Sequence, residues 1–175
     1  KELSKEFTEL SMSYLKAVLY RKYGNKSCRT IFREDDLWKN YRMIQEEYPI
    51  VLSTTFSSRS SLCKEAFFDY LIMDEASQVD IKTGALALSC AMNAVIVGDD
   101  KQLPNVVSHV EEQALNAIQS TYCVDEKYQA TANSFLQSCV KVFTDAPVTL
   151  LREHYRCHPR IIEFCNQRFY NGELI

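Results

Sequence analysis

The chain has 175 residues, 46% hydrophobic and 25% charged, with ten Tyr and nine Phe. That suffices for the core of one domain, or of one domain with part of a neighbour. No stretch approaches the ~20 consecutive apolar residues of a membrane span, so no membrane partner is expected. The net charge of −3 supplies no bulk attraction to polyanions, and any such binding would need a local basic groove.

The first residues, Lys1-Glu2-Leu3-Ser4, have neither an initiating Met nor a signal-peptide pattern and read as a fragment boundary. Seven Cys, at 28, 63, 90, 123, 139, 157 and 165, form no CxxC pair. They read as reduced, mostly buried thiols of an intracellular protein, cytoplasmic or, in a eukaryote, nuclear. His154, Cys157, His158 and Cys165 match no standard zinc spacing and have no second cluster to close a tetrahedral site, so no structural zinc is expected.

In chain order, Leu3, Phe7, Leu10, Tyr14, Leu15, Val18 and Leu19 recur at offsets of three and four. They predict an amphipathic helix over residues 1–23, ending near Gly24-Asn25. Leu37, Tyr41, Ile44 and Tyr48 predict a second helix from Asp35 to Tyr48, stopped by Pro49. Both are expected to serve packing. After Pro49 the period changes. Ile50-Val51-Leu52, Tyr70-Leu71-Ile72-Met73 and Ala94-Val95-Ile96-Val97 are short continuous apolar runs, and Pro147–Leu151 is a fourth. Such runs fit strands buried on both faces. Helical patterns over Asp80–Met92, Ser108–Ser120 and Tyr128–Phe143 lie between them. Alternating strands and helices predict an α/β fold, a parallel sheet flanked by helices.

In an open parallel sheet, ligands bind beyond the carboxyl ends of the strands. Three polar clusters are expected at that edge: Ser53–Arg59, Asp74-Glu75-Ala76-Ser77 and Gly98-Asp99-Asp100-Lys101-Gln102-Leu103-Pro104. Adjacent acids at a strand end suit nucleotide hydrolysis, one holding Mg²⁺ through water and the next orienting the attacking water. A solvated strand-to-loop junction is the plainer reading of an isolated Asp-Glu pair. The four apolar residues before it, and the second acidic strand end about 25 residues later, weigh against that here.

These residues carry a family resemblance. Asp74–Ser77 resembles helicase motif II, the Walker B acid box. Gly98–Pro104 resembles motif III of superfamily 1, Gly-Asp-x-x-Gln-Leu-Pro. Leu151–Pro159, with Ile161, Phe164, Phe169-Tyr170 and Leu174 after it, resembles motif IV and its helix. The Tyr-Arg-x-His-Pro core is similar to superfamily 1B, the branch of the nonsense-mediated-decay RNA helicase.

The resemblance covers residues 50–175 and implies a RecA-like P-loop NTPase fold, present in part. Residues 1–49 would be a helical segment or insertion, 50–147 the core of the first RecA-like domain, and 148–175 the junction with a second. It implies ATP and Mg²⁺ as cofactors, with Asp74 holding the metal through water and Glu75 polarising the hydrolytic water. Gln102 would contact the γ-phosphate, with Asp99 in the same nucleotide site. Tyr155 would lie against the adenine, and Arg156 would reach the γ-phosphate as a charge-stabilising finger. Ser53, Thr54, Thr55, Ser57 and Arg59 resemble the motif Ib/Ic region, whose hydroxyls and Arg would touch the nucleic-acid backbone. A polar turn entering a Ser-capped helix is the alternative there.

The implied function is an ATP-dependent helicase or translocase moving on single-stranded DNA or RNA, with the second RecA-like domain in cis. A non-helicase P-loop ATPase and a non-catalytic interaction module derived from a helicase are the alternatives. Asn105, Cys157 and His154 stand where the family often has Pro or Gly, Met and Gln. No Gly-x-x-x-x-Gly-Lys-Ser/Thr loop occurs, and the chain has only four Gly. These residues alone are therefore expected to be inactive, since that loop supplies most of the grip on the phosphates.

Overall fold

A computed structural model describes residues 2–25, 30–61 and 63–175; Cys28, one of the seven expected thiols, lies outside them. The chain forms two compact units, residues 1–47 and 48–175.

In the first unit, α1 (Glu2–Tyr23) follows the three–four apolar spacing and buries none of its residues. The Gly24 amide closes its last turn on the Tyr20 carbonyl at 2.7 Å. Lys22 Nζ donates to the Glu46 carbonyl at 2.9 Å, and the Tyr23 hydroxyl to Glu47 Oε1 at 2.6 Å. The single helix expected over Asp35–Tyr48 is two, α2 (Asp36–Lys39) and α3 (Tyr41–Glu47). The break has a local cause. Asp36 accepts the Arg33 amide at 2.7 Å and the Asn40 side-chain amide at 2.6 Å, and Asn40 leaves helical geometry with φ −124°. Asn side chains favour such local bonds over helix continuation. Of the two helices, only α3 buries a residue, Ile44.

In the second unit, β1 (Phe68–Met73) and β2 (Ala91–Ile96) run parallel, with Phe68 opposite Ala91 and Met73 opposite Ile96. The crossover between them contains α4 (Ile81–Leu88), capped by Asp80, whose carboxylate accepts the Lys82 and Thr83 amides. Burial works against the Asp80 charge, yet the bonds from Thr83 and Lys82 and the Lys82 charge hold its carboxyl below the usual range. Further along come α5 (His109–Thr121), α6 (Phe135–Val142) and α7 (Pro159–Phe169).

Two expected strands do not form. Ile50–Leu52 and Pro147–Leu151 are irregular, and no ladder among the described residues includes them. A strand exists only through a hydrogen-bonded neighbour. Without one, Ile50 remains 80% and Leu52 92% exposed. Two helices are also shorter than their patterns. The α4 helix stops at Leu88 because β2 begins at Ala91, three residues before the expected Ala94. The α6 helix begins only at Phe135, where Ser134 and Gln137 form a reciprocal capping box. Before it, a 3-10 turn (Glu126–Tyr128) and the buried Asn133 amide, bonded to the Glu126 and Gln129 carbonyls, occupy the chain. Of the six described thiols, expected to be mostly buried, Cys63, Cys90 and Cys139 are buried, Cys157 and Cys165 are half-buried and Cys123 is exposed.

The core joins Met73 of β1, Ala76, Ala87 of α4, and Phe135 and Cys139 of α6. Here α4 presses its backbone onto the Phe135 ring. A Cβ at Gly84 would stand 2.3 Å from Phe135 Cδ2. Gly84→Ala should therefore lower stability, although Ala is the better helix former by about 1 kcal/mol. Overpacking costs about 1–3 kcal/mol. A fall in the urea midpoint with unchanged slope is the expected result, and an equal or higher midpoint would mean that the ring gives way.

Candidate functional site

The site is built where β1 and β2 end side by side. The Val97 amide donates to the Met73 carbonyl at 2.8 Å, and the Ala76 amide to the Val97 carbonyl at 2.9 Å. Two main-chain bonds thus stitch the turn after β1 to the turn after β2. The approach is close enough to favour a missing side chain. A Cβ at Gly98 would meet the Ala76 and Ser77 amide nitrogens at 3.1 Å each. The glycine opening the Gly98–Pro104 box has this packing reason.

Asp74 and Glu75 leave β1 at this junction, both exposed. Glu75 adopts the left-handed conformation, φ 53° and ψ 37°, and begins a 3-10 turn over Ala76–Gln78. That reversal costs a non-glycine residue about 1–2 kcal/mol, and such strain clusters at functional sites. Asp74 Oδ1 accepts the Glu75 amide at 2.9 Å, and Gln78 Nε2 reaches Glu75 Oε2 at 3.5 Å. Carboxylate oxygens at a strand end are the donor type Mg²⁺ takes, and it is commonly held by one or two of them with waters and substrate phosphates. The donor set therefore fits, although no group of three or more metal-ligating side chains occurs among the described residues.

The second cluster turns on Asp99. Its Oδ1 accepts the Lys101 amide at 3.0 Å, and its Oδ2 accepts Gln102 Nε2 at 3.0 Å and the Tyr170 hydroxyl. Asp99 thus organises the loop that presents Gln102. Gln78, Lys101, Gln102, Leu103, Pro104 and Asn105 line an open depression there, and the Asn105 amide ties the loop back to the Ser77 carbonyl at 3.1 Å.

The other predicted residues lie on two further segments. Tyr155 and Arg156 are exposed on the stretch before α7, and the Tyr155 hydroxyl donates to Glu153. Among the described residues no hydrogen bond or ion pair joins Arg156 to Asp74, Glu75 or Gln102. His158 caps α7 by accepting the Arg160 amide at 3.3 Å. Within Ser53–Ser61, residues 55–60 form turns, and among the described residues no helix follows before β1. Thr54 Oγ1 accepts the Ser57 amide, the Ser53 hydroxyl donates to the Thr54 carbonyl, and the Ser58 hydroxyl to the Thr55 carbonyl. Arg59 donates to the Lys64 and Ala66 carbonyls at 2.6 and 3.4 Å, so its guanidinium helps to shape the loop that carries it.

Sequence reasoning passed over two residues of the site. Gln78 stands three residues after Glu75, the spacing that lets a side chain return across a helical turn. Tyr170 enters the sequence reading only as part of the motif IV resemblance, and its polar end carries no signal there.

Asp99 and Tyr170 perturb each other. Burial raises the Asp99 carboxyl, but the bonds from Tyr170, the Lys101 amide and Gln102 outweigh it, and the group titrates below its usual 3.8. Burial, then the bond to Asp99, pushes the Tyr170 phenol from 10.0 to about 12. A lowered acid stabilises the fold above its unfolded value and loses that contribution as pH falls through the folded one; a raised phenol stabilises below its unfolded value and loses it as pH rises through the folded one. The stability difference between the parent and Tyr170→Phe should thus be flat between about pH 5 and 9. It should shrink below the usual Asp value of 3.8 and from 10.0 towards 12. Denaturant titrations across pH check this; a pH-independent difference would break the link.

Residues 8–109 match the model of the AAA domain family. The chain is 29% identical over 160 residues to the "Uncharacterized ATP-dependent helicase MG140 homolog" of Mycoplasma pneumoniae, covering 83% of this chain and 13% of that protein. It is 34% identical over 134 residues to the "Probable helicase MAGATAMA 3" of Arabidopsis thaliana, covering 75% of this chain and 14% of that protein. It is 26% identical over 126 residues to the "DNA replication ATP-dependent helicase/nuclease DNA2" of Gallus gallus, covering 72% and 11%. The chain therefore spans less than a sixth of the length of these relatives. Their names agree with the superfamily 1 resemblance carried by Asp74–Ser77, Gly98–Pro104 and Tyr155–Pro159. The parallel strand pair with its helices is part of the RecA-like α/β fold of P-loop NTPases. By its sequence, and in keeping with that fold, the chain belongs to the AAA domain family.

Proposed function

We propose that this chain is the acid-bearing part of the ATP site of a superfamily 1 helicase or translocase. The observation that carries the reading is the seating of Asp74-Glu75 and the Gln102 loop at the carboxyl ends of two adjacent parallel strands. Residues 50–147 are the core of its first RecA-like domain and 148–175 the junction with the second, which lies in cis. The protein works inside the cell; among the described residues no helix is long and apolar enough to cross a membrane.

Asp74 would hold Mg²⁺ through water, and the metal supplies charge neutralisation at the phosphates. Glu75 orients the attacking water and takes its proton as the water oxygen bonds to the γ-phosphorus and the bridging oxygen leaves with ADP. Gln102 donates to the γ-phosphate while its oxygen accepts from water. Asp99 serves the same nucleotide site through Gln102, its hydrogen-bonded partner. Tyr155 covers the adenine, and Arg156 brings a planar fork to the γ-phosphate. Their exposure leaves both available to a nucleotide held between two domains. Ser53, Thr54, Thr55, Ser57 and Arg59 form the edge that touches single-stranded DNA or RNA, through sequence-independent phosphate contacts. No structural zinc takes part.

In the full-length protein, Glu75→Gln should leave ATP binding largely intact while turnover falls at least about 100-fold, the lower range for losing a positioned acid–base group. Turnover within a few-fold of the parent would remove Glu75 from the role. Gln102→Ala should weaken nucleic-acid stimulation of the ATPase more than it weakens nucleotide affinity, and unchanged stimulation would count against the motif III assignment.

The 175 residues by themselves hold metal, water and γ-phosphate groups but no glycine-rich loop or Walker Lys. Charge-assisted phosphate contacts are worth a few kcal/mol each at best, and several are missing. The chain should fold, bind Mg·ATP only weakly and show no ATPase above background. Calorimetric titration beside a phosphate-release assay tests this, and a micromolar dissociation constant or measurable turnover would reveal a complete site.

A further inference from the structure

The turn after α7 is braced independently of the strand ends. Asn166 exchanges side-chain bonds with the Leu174 carbonyl and amide at 3.0 and 2.9 Å, and its own carbonyl accepts the Tyr170 and Gly172 amides at 3.0 Å each. The Ile175 amide reaches the Arg152 carbonyl at 2.9 Å, and Arg152 pairs with Glu173 at 3.5 Å. From this braced turn Tyr170, half-buried, sends its hydroxyl to the carboxylate of Asp99, 71 residues away in sequence. The same carboxylate oxygen accepts Gln102 Nε2, and the other accepts the Lys101 amide.

One carboxylate therefore gathers two donors from its own loop and one from the segment that carries Tyr155 and Arg156. A carboxylate accepts several donors at once, and each donor narrows where the others can point.

We propose that Tyr170 is a positioning residue: through Asp99 it clamps the Gly98–Pro104 loop, sets the direction of Gln102, and ties that loop to the chain segment bearing Arg156. The proposal rests on the reading of Gln102 as the γ-phosphate contact. Its structural half, the clamp, stands or falls without that reading.

The test compares the full-length protein with its Tyr170→Phe, Asp99→Ala and double variants. Loss of one hydrogen bond to a charged acceptor should speed amide exchange at Lys101 and Gln102 about tenfold. Exchange in β1 and β2 should stay within about twofold, because the sheet's own ladder is untouched. Nucleic-acid-stimulated kcat should fall several-fold in Tyr170→Phe, with KM for ATP nearly unchanged. The double variant should be no worse than Asp99→Ala alone, since both changes break one pathway.

Unchanged exchange at Lys101 and Gln102, or faster exchange spread equally over β1 and β2, overturns the clamp. So do additive effects in the double variant. Faster loop exchange with unaltered kcat overturns the positioning role while leaving the contact. If the parent shows no nucleic-acid-stimulated ATPase, the functional reading fails, and the exchange pattern and double variant still decide the clamp.

Discussion

The exchange of main-chain bonds where β1 and β2 end constrains everything around the site. Met73, Val97 and Ala76 share two hydrogen bonds of 2.8 and 2.9 Å, which hold the chain after β1 against the chain after β2. Buried amides must find partners, and here the partner of each turn is the other turn. Gly98 suits this approach because a Cβ would crowd the Ala76 and Ser77 nitrogens at 3.1 Å. Ala76, fully buried, and Ser77 then face the core beneath, where Phe135 and Cys139 of α6 close over Met73 and Ala87. The Phe135 amide also donates to the Val79 carbonyl, fixing α6 to the chain just past the acidic pair. The acids thus stand on a floor set from three sides, while their own side chains remain in solvent.

Much of this was legible in the sequence, for reasons that differ by residue. Tyr70–Met73 could be read as a strand because an unbroken apolar run ended abruptly in two acids, and the structure places β1 over Phe68–Met73. The helices expected from Asp80 and Ser108 begin there, at residues whose side chains cap them, whereas the one expected from Tyr128 waits for the Ser134 cap. Strands at 50–52 and 147–151 were not decidable that way. Apolar runs report a preference for burial, whereas strand formation depends on a neighbour that no local pattern specifies. Tyr170 was illegible for the same kind of reason, since its partner lies 71 residues away.

The site divides along a similar line. Asp74, Glu75, Asp99 and Gln102 could be grouped from sequence because each lies within a few residues of a strand end, and strand ends in a parallel pair are neighbours by construction. Tyr155 and Arg156 lie on an irregular segment, and among the described residues neither is hydrogen-bonded to those acids. Arg59 shows that residue type alone does not assign a role. A guanidinium in a hydroxyl-rich loop suggests phosphate contact, yet two of its donors serve main-chain carbonyls five and seven residues on.

Glu75 shows how the constraint at the strand ends reaches the chemistry. For the Ala76 amide to meet the Val97 carbonyl, the chain must reverse within one residue of Asp74, and it does so by placing Glu75 at φ 53°. Glycine would adopt that conformation without cost. A glutamate there gives up about 1–2 kcal/mol, and what it returns is direction. Consecutive residues in an extended strand point to opposite faces, whereas a left-handed residue breaks the alternation and re-aims its own side chain. Asp74 lies at the bend just past the strand and accepts the Glu75 amide, while Glu75 turns towards the 3-10 turn and Gln78. Two acids adjacent in sequence are thereby given different surroundings, as the separate roles proposed for Asp74 and Glu75 require.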